Sequence, residues 1–224
     1  MFSKEELIHF ENLSKTYRDG KKERIVLDNI SGIIEKKTVN IIFGESGCGK
    51  TTFLSILAGI EEPDSGIVFF NDHNFYNLNK TYQSIIRGKH FGIVFQDFNL
   101  IDELTAHDNI VLPLIINRIP TDKKYYREIV NRMNLSKVEN SYPNEMSGGE
   151  KQRTAIARAM ITKPDIIFAD EPTGNLDEEN TKEVVRLLTD MNNLFGTTIV
   201  VVTHDKMLFN NPDKVFELHN GSIL

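Results

Sequence analysis

Apolar positions fall in short blocks along this chain, and their period changes along its length. Residues 7–17 and 25–34 carry apolar side chains at strand-like spacing, and Val39-Asn40-Ile41-Ile42-Phe43 has the length and near-continuous apolar character of a buried strand. Asp19-Gly20 and Glu35-Lys36-Lys37 punctuate these runs as turns. The first sixty or so residues thus predict an antiparallel β flap laid against a core. Residues 52–58 have the make-up of a helix and Pro63-Asp64-Ser65-Gly66 marks a turn; residues 67–70 predict a further strand, and residues 91–95 a buried one that ends at Gln96.

From about residue 97 to 144 the pattern turns helical and more charged, with apolar residues at helical intervals through 125–133. Beyond it, residues 149–162 read as helix, 166–169 as strand, 177–195 as helix and 198–202 as strand. Such alternation argues for a parallel sheet with crossover helices. Asn220-Gly221, between strand candidates at 215–219 and 222–224, is a strong hairpin signal. The expected fold is α/β: one domain over residues 1–224, with a mostly parallel sheet, an N-terminal antiparallel β flap and an α-helical subdomain inserted over approximately residues 97–160.

Composition narrows what such a fold can do. The 224 residues can bury a substantial core without disulfides or metals. A formal net charge of −6 provides no global basic field, so no nucleic-acid partner is expected. Cys48 is the only cysteine, which excludes an internal disulfide and fits a reducing compartment. It is either a small residue that fits its loop or a thiol open to modifying reagents. No apolar run approaches the roughly 18 residues that span a bilayer, the longest being 110–116, which contains Pro113, and 198–202. The run Met1-Phe2-Ser3-Lys4-Glu5-Glu6 lacks a signal-peptide core. Any membrane role is therefore expected to come through a partner subunit.

The chemistry starts at Gly44-Glu45-Ser46-Gly47-Cys48-Gly49-Lys50-Thr51, which fits G-x-x-x-x-G-K-[ST] between a strand and a helix, the context a phosphate-cradling loop requires. Gly44, Gly47 and Gly49 allow backbone conformations closed to residues with a Cβ, so that successive N–H groups converge on phosphate oxygens. Lys50 brings a cation to the β- and γ-phosphates and Thr51 offers a hydroxyl to Mg²⁺, while the helix opening at Thr52 adds its dipole. Ile166-Ile167-Phe168-Ala169-Asp170-Glu171, an apolar run ending in two carboxylates, matches the Walker B pattern. Asp170 is expected to support Mg²⁺ through water and Glu171 to polarise the attacking water as general base. A glycine loop that merely caps a helix, and a carboxylate pair that caps one before Pro172, are the bland readings; each weakens once both motifs stand in one chain. The core is thus expected to be that of a P-loop NTPase.

Met146-Ser147-Gly148-Gly149-Glu150-Lys151-Gln152-Arg153 adds a Ser-Gly-Gly turn at a helix N-terminus, a second anion site that one triphosphate rarely needs. With this segment the chain resembles the ATP-binding cassette (ABC) ATPase subunits. Their signature is usually LSGGQ; here Met146 replaces the leucine and Glu150 the glutamine. The resemblance implies that Ser147, Gly148, Gly149 and Glu150 of one protomer cap the ATP held by a second copy, so that two ATP molecules are sandwiched head to tail. It also implies that Gln96 touches Mg²⁺ and senses a transmembrane partner, that Gly174-Asn175-Leu176-Asp177 is the dimer-contacting D-loop, that His204 contacts the γ-phosphate, and that Tyr17 stacks on adenine. Judged alone, Tyr17 is equally a strand-end aromatic, His204 a helix cap and Gln96 a solvated loop residue. The motifs stand in the family's order, and the resemblance covers nearly the whole chain.

Three roles are open to a cassette of this kind: an energy-coupling subunit for a separate membrane permease, a cassette that signals or anchors at the membrane, and a soluble ribosome- or DNA-associated ATPase. A single cassette without linker or heptads disfavours the last. Phe95-Gln96-Asp97-Phe98-Asn99-Leu100-Ile101, Tyr142-Pro143-Asn144-Glu145 and Pro172-Thr173-Gly174-Asn175-Leu176-Asp177 are most similar to the branch serving lipoprotein release, macrolide export, cell-division signalling and antimicrobial-peptide resistance. Export of, or resistance to, peptides or related antimicrobials, or handling of lipoprotein-type substrates, is the expected role, from a cytoplasmic position on the inner face of the membrane. Phe98, Leu100 and Ile101 either line the groove that receives the permease or pack within the helical subdomain.

Overall fold

The apolar spacing of the first strand slips by one residue between Phe10 and Leu13, and the backbone absorbs the slip. Ile8, Phe10 and Leu13 are all buried, while Asn12 takes a left-handed φ of 52° at a shift in strand register. Asn29 on the facing strand does the same. Each bulge frees a backbone N–H, and a hydroxyl from the opposite strand takes it: Asn12 N donates to Ser31 Oγ at 2.8 Å and Asn29 N to Ser14 Oγ at 3.0 Å. The computed structural model describes residues 5–20 and 22–224, and of Asp19 its backbone alone. Strands β1 (Glu6–Asp19) and β2 (Lys22–Glu35) pair along their length, and β1 also pairs with β4 (Ser65–Phe70), which carries β5 (His73–Asn74) at the edge of an antiparallel sheet ordered β2-β1-β4-β5.

The second sheet has the order β10-β9-β3-β8-β7-β6, from β3 (Val39–Phe43), β6 (Phe91–Val94), β7 (Ile166–Asp170), β8 (Thr198–Thr203), β9 (Lys214–His219) and β10 (Ser222–Ile223). All pairs are parallel except β9–β10, the hairpin that turns at Asn220-Gly221. Continuous burial along β8 is what a strand covered on both faces requires. Helix α1 (Lys50–Leu57) lies between the two sheets, where Phe53 packs edge-on against Phe10 and Phe216 at ring separations of 5.1 and 6.1 Å. On the other face of the parallel sheet, α3 (Ala106–Ile116), α4 (Lys123–Arg132), α5 (Gly148–Met160) and α6 (Glu178–Phe195) bury Ile110, Ile129, Ile156 and Leu188 against Ile41, Ile199 and Val201.

Two elements differ from expectation. Helix α1 opens at Lys50, ahead of Thr52, which places the unpaired N–H groups of its first turn beside the phosphate loop. Helix α2 (Lys80–His90) has no apolar stripe to announce it: of its side chains Gln83 is buried while Tyr82 and Ile85 are exposed. It is fixed by partly buried Ile86, packed against the inter-sheet core, and by polar bonds, Tyr82 N donating to the Asn79 side chain at 3.0 Å and Gln83 Nε2 to Leu78 O at 2.8 Å.

Candidate functional site

Strand β3 delivers the chain to Gly44 and the phosphate loop turns back into α1 through two residues at positive φ, Gly47 at 77° and Gly49 at 107°. At Gly49 a Cβ would also lie 2.7 Å from Val26 O. Gly44 is required for another reason than the one expected. Its φ is not in the left-handed region; a Cβ there would run into the Leu218 carbonyl oxygen and the Cys48 thiol, so close packing rather than backbone freedom excludes side chains. Cys48 is half-buried against the inter-sheet core, the place of a small packing residue. Lys50 is 5% exposed and its Nζ donates to Gly44 O and Glu45 O, each at 2.9 Å. A cleft of about 300 Å³ opens over this loop, lined among others by Ser46, Lys50, Thr51, Thr52 and Glu171 and by Tyr17 from the flap. Tyr17 is 41% exposed; its hydroxyl donates to Glu61 at 2.7 Å and Lys15 Nζ lies over its ring, 5.8 Å from the centroid.

The end of β7 meets the end of the loop. Thr51 Oγ1 donates to Asp170 Oδ1 at 3.1 Å. Burial pushes the Asp170 carboxyl above the ordinary carboxylate range; the Thr51 bond and the Lys50 charge oppose this, while the Glu171 charge adds to it. A magnesium ion keeps several waters and takes one or two protein oxygens beside phosphate oxygens. A hydroxyl and a carboxylate in contact fit that demand, and among the described residues no cluster of three carboxylates, histidines or thiols offers a fuller cage. Glu171 follows at φ 41°, a left-handed conformation rare for a residue with a Cβ and found at positions the surroundings over-determine. Its N–H is held by Val202 O at 3.0 Å, and its carboxylate faces His204 Nδ1 at 3.5 Å. Gln96, just past β6, lies against the turn after Glu171: Asn175 Nδ2 donates to Gln96 O at 3.2 Å and to Asp97 Oδ1 at 3.0 Å.

Ser147, Gly148, Gly149 and Glu150 open helix α5, and none of them lines the cleft over the phosphate loop. Ser147 caps the helix; its N–H and hydroxyl both donate to Glu150 Oε2, at 2.9 and 2.8 Å, and Glu150 N returns a bond to Ser147 Oγ at 3.3 Å. These bonds hold the Glu150 carboxyl below its ordinary range. Asp177 is likewise the N-cap of α6, accepting from Asn180 N at 2.8 Å. The two helix starts are tied to each other, since Arg153 on α5 reaches Glu183 on α6 at 2.8 Å. The Ser-Gly-Gly turn thus opens a helix start outside the cleft over the phosphate loop.

Phosphate loop, capped signature turn and Walker B strand, in this order and on this fold, are matched by known proteins. The family described as ABC transporter matches residues 27–174. The chain belongs to the ABC transporter family. The cassette is 40% identical over 216 residues to the lipoprotein-releasing system ATP-binding protein LolD of Buchnera aphidicola, covering 95% of this chain and 94% of that one. Among solved structures, the dimeric post-hydrolysis state of the ATP-binding cassette MJ0796 bound to ADP and Pi is 35% identical, with a TM-score of 0.88 over 97% of this chain and 96% of that one. CbiO1 of Clostridium perfringens, part of the transporter complex CbiONQ, is 27% identical with a TM-score of 0.85, over 99% of this chain and 88% of that one. The cassette is an ATP-binding and ATP-hydrolysing chain, and among its described residues no helix is long and apolar enough to cross a membrane.

Sequence reasoning passed over Arg24, Val26 and Glu61 at this site. Arg24 and Val26 line the cleft, and Glu61 holds the Tyr17 hydroxyl. Arg24 and Val26 are placed by a shift in strand register between Lys15↔Leu27 and Thr16↔Ile25, and Glu61 by the turn between α1 and β4, none of which a local motif announces.

Proposed function

We propose that this cassette is the ATP-hydrolysing subunit that powers a separate integral membrane permease, working as an ATP-dependent head-to-tail dimer on the cytoplasmic face of the membrane. The observation that carries this reading is the separation of the phosphate loop from Ser147, Gly148 and Gly149: one chain holds two halves of an anion site that do not meet, and a second copy supplies the missing half to each. We take residues 97–160 as the unit inserted in the core of a single domain over 1–224. Lipidated protein cargo is the substrate class of the permease, as in the name of the LolD relative.

In this reading adenine stacks on Tyr17, and the loop N–H groups of residues 44–51, with Thr52, cradle the phosphates. Lys50 leaves the carbonyls of Gly44 and Glu45 for the β- and γ-phosphates, a stronger acceptor than either carbonyl. Thr51 and Asp170, the latter through water, would hold Mg²⁺ with Gln96, and the ion supplies charge neutralisation at the phosphoryl oxygens. Glu171 takes the proton of the attacking water, while His204 contacts the γ-phosphate and stands beside that carboxylate. The partner's signature turn and Asp177 loop complete the site. ATP favours the closed pair and hydrolysis reopens it, so the differential affinity of the two states for nucleotide supplies the work on the permease.

The test is assembly. With Glu171→Gln to arrest hydrolysis, sedimentation velocity should show a monomer without nucleotide and a dimer with ATP. A protein that stays monomeric at saturating ATP, while calorimetry shows the nucleotide bound, overturns the two-copy site.

A further inference from the structure

Arg24 stands directly opposite Tyr17 in the register of the β1–β2 pair, so the two side chains leave the flap side by side. Its Nη2 donates to Gly47 O at 2.5 Å, bridging the flap to the middle of the phosphate loop. Both side chains line the cleft that Lys50, Thr51 and Thr52 also line. A guanidinium carries five N–H donors in a planar fork, and a single bond to one carbonyl leaves most of that fork to the open cleft. Lys50 behaves alike, resting on the carbonyls of Gly44 and Glu45. Two cations of one cleft thus sit on carbonyl oxygens of one loop, and a phosphate oxygen is a better acceptor for either than a neutral carbonyl. Place along the cleft then decides what each cation meets. Lys50 lies at the start of α1, where the terminal phosphates belong; Tyr17 marks the base end; Arg24, beside Tyr17 and bonded to Gly47, lies between them.

We propose that Arg24 is a nucleotide-contacting residue whose guanidinium meets the α-phosphate and the neighbouring ribose edge, a contact shared by ATP and ADP. The inference rests on the reading of this cleft as the nucleotide site. It makes the flap more than an aromatic platform for the base: the strand facing Tyr17 adds a charge that raises affinity for nucleoside phosphates without regard to the γ-phosphate.

The experiment uses the whole chain and titration calorimetry with Mg·ATP and Mg·ADP at low and high salt, on the native protein, Arg24→Gln, Arg24→Lys and Lys50→Ala. Arg24 is exposed, so the variants should unfold at the native temperature. Arg24→Gln should weaken ATP and ADP alike, by about tenfold or more, the size expected for a charge-assisted hydrogen bond. It should also flatten the salt dependence of binding, since one cation has left the site; Arg24→Lys should recover part of both. Unchanged affinity in Arg24→Gln overturns the proposal, and so does a loss confined to ATP. A loss with unaltered salt dependence reduces Arg24 to a clamp on the Gly47 carbonyl and overturns it equally. Lys50→Ala serves a separate purpose: full affinity in that variant removes the nucleotide-site reading itself, whatever Arg24 does.

Discussion

Thr51 Oγ1 donates to Asp170 Oδ1 at 3.1 Å, joining the last residue of the phosphate loop to the last residue of β7 across 119 positions of sequence. The bond is where the parallel sheet has its chemical consequence: β3 and β7 flank β8, and their ends bring a hydroxyl and a carboxylate into contact.

That carboxylate titrates in a direction that can be checked. Burial raises Asp170 in the folded protein, so the native state holds its proton more tightly than the unfolded chain does. Its contribution to stability in metal-free protein therefore grows as pH falls through the folded value and is lost as pH rises. Asp170→Asn removes the titration and keeps an acceptor for Thr51. Melting in EDTA at neutral pH should be no lower than native and less sensitive to pH, while the stabilisation given by Mg·ATP disappears. A variant that melts well below native yet still gains from Mg·ATP would contradict the assignment.

Glu171 is held at a left-handed φ of 41° with its carboxylate 3.5 Å from His204 Nδ1. As general base it makes its contribution only when water attacks. Glu171→Gln should bind ATP as the native chain does and release phosphate about 10²–10⁴ times more slowly. Native turnover in this variant, measured under single-turnover conditions, would exclude Glu171 from that role.

Glu150 stands where the family has glutamine, and its carboxylate already occupies the N–H and hydroxyl of Ser147. These bonds lower its folded pKa, so the stability it confers is present above the unfolded value and lost as pH falls through the folded one. A carboxylate at this turn also repels an incoming phosphate. Glu150→Gln should therefore tighten ATP-driven dimerisation several-fold, whereas Ser147→Ala should cost about 1 kcal/mol of folding stability through the lost cap. Weaker dimerisation of Glu150→Gln, followed by light scattering across an ATP titration, would show that the charge assists closure.

The sequence announces the strands that end at the site because each is a near-continuous apolar run stopped by a functional residue: Val39–Phe43 before Gly44, and residues 166–169 before Asp170. It is silent on α2, whose exposed Tyr82 and Ile85 and buried Gln83 invert the usual pattern. It is silent on Arg24 too, since pairing with Tyr17 follows from a register shift between Lys15↔Leu27 and Thr16↔Ile25 that no residue pattern marks. Gly44 shows a subtler gap: the motif names the glycine, but the neighbouring Leu218 carbonyl and Cys48 thiol explain it.

The segment after Gln96 carries the remaining prediction. Phe98 and Asn99 are successive left-handed residues, at φ 62° and 47°, and Arg158 on α5 fixes them by donating to Phe98 O at 2.8 Å and Asn99 O at 2.5 Å. The next turn presents Ile101, 41% exposed, beside half-buried Leu100 and Phe98. A pre-shaped loop with an exposed apolar tip is the surface we assign to the permease. Ile101→Asp alters an exposed position, so stability should stay within about 0.5 kcal/mol of native and ATP affinity should not change. Docking should fail, because a desolvated carboxylate has no partner in an apolar groove. Fractionation of cells producing the variant should find the native chain with the membranes and Ile101→Asp in the soluble fraction. Retention of the variant on membranes would move the docking surface elsewhere on the cassette.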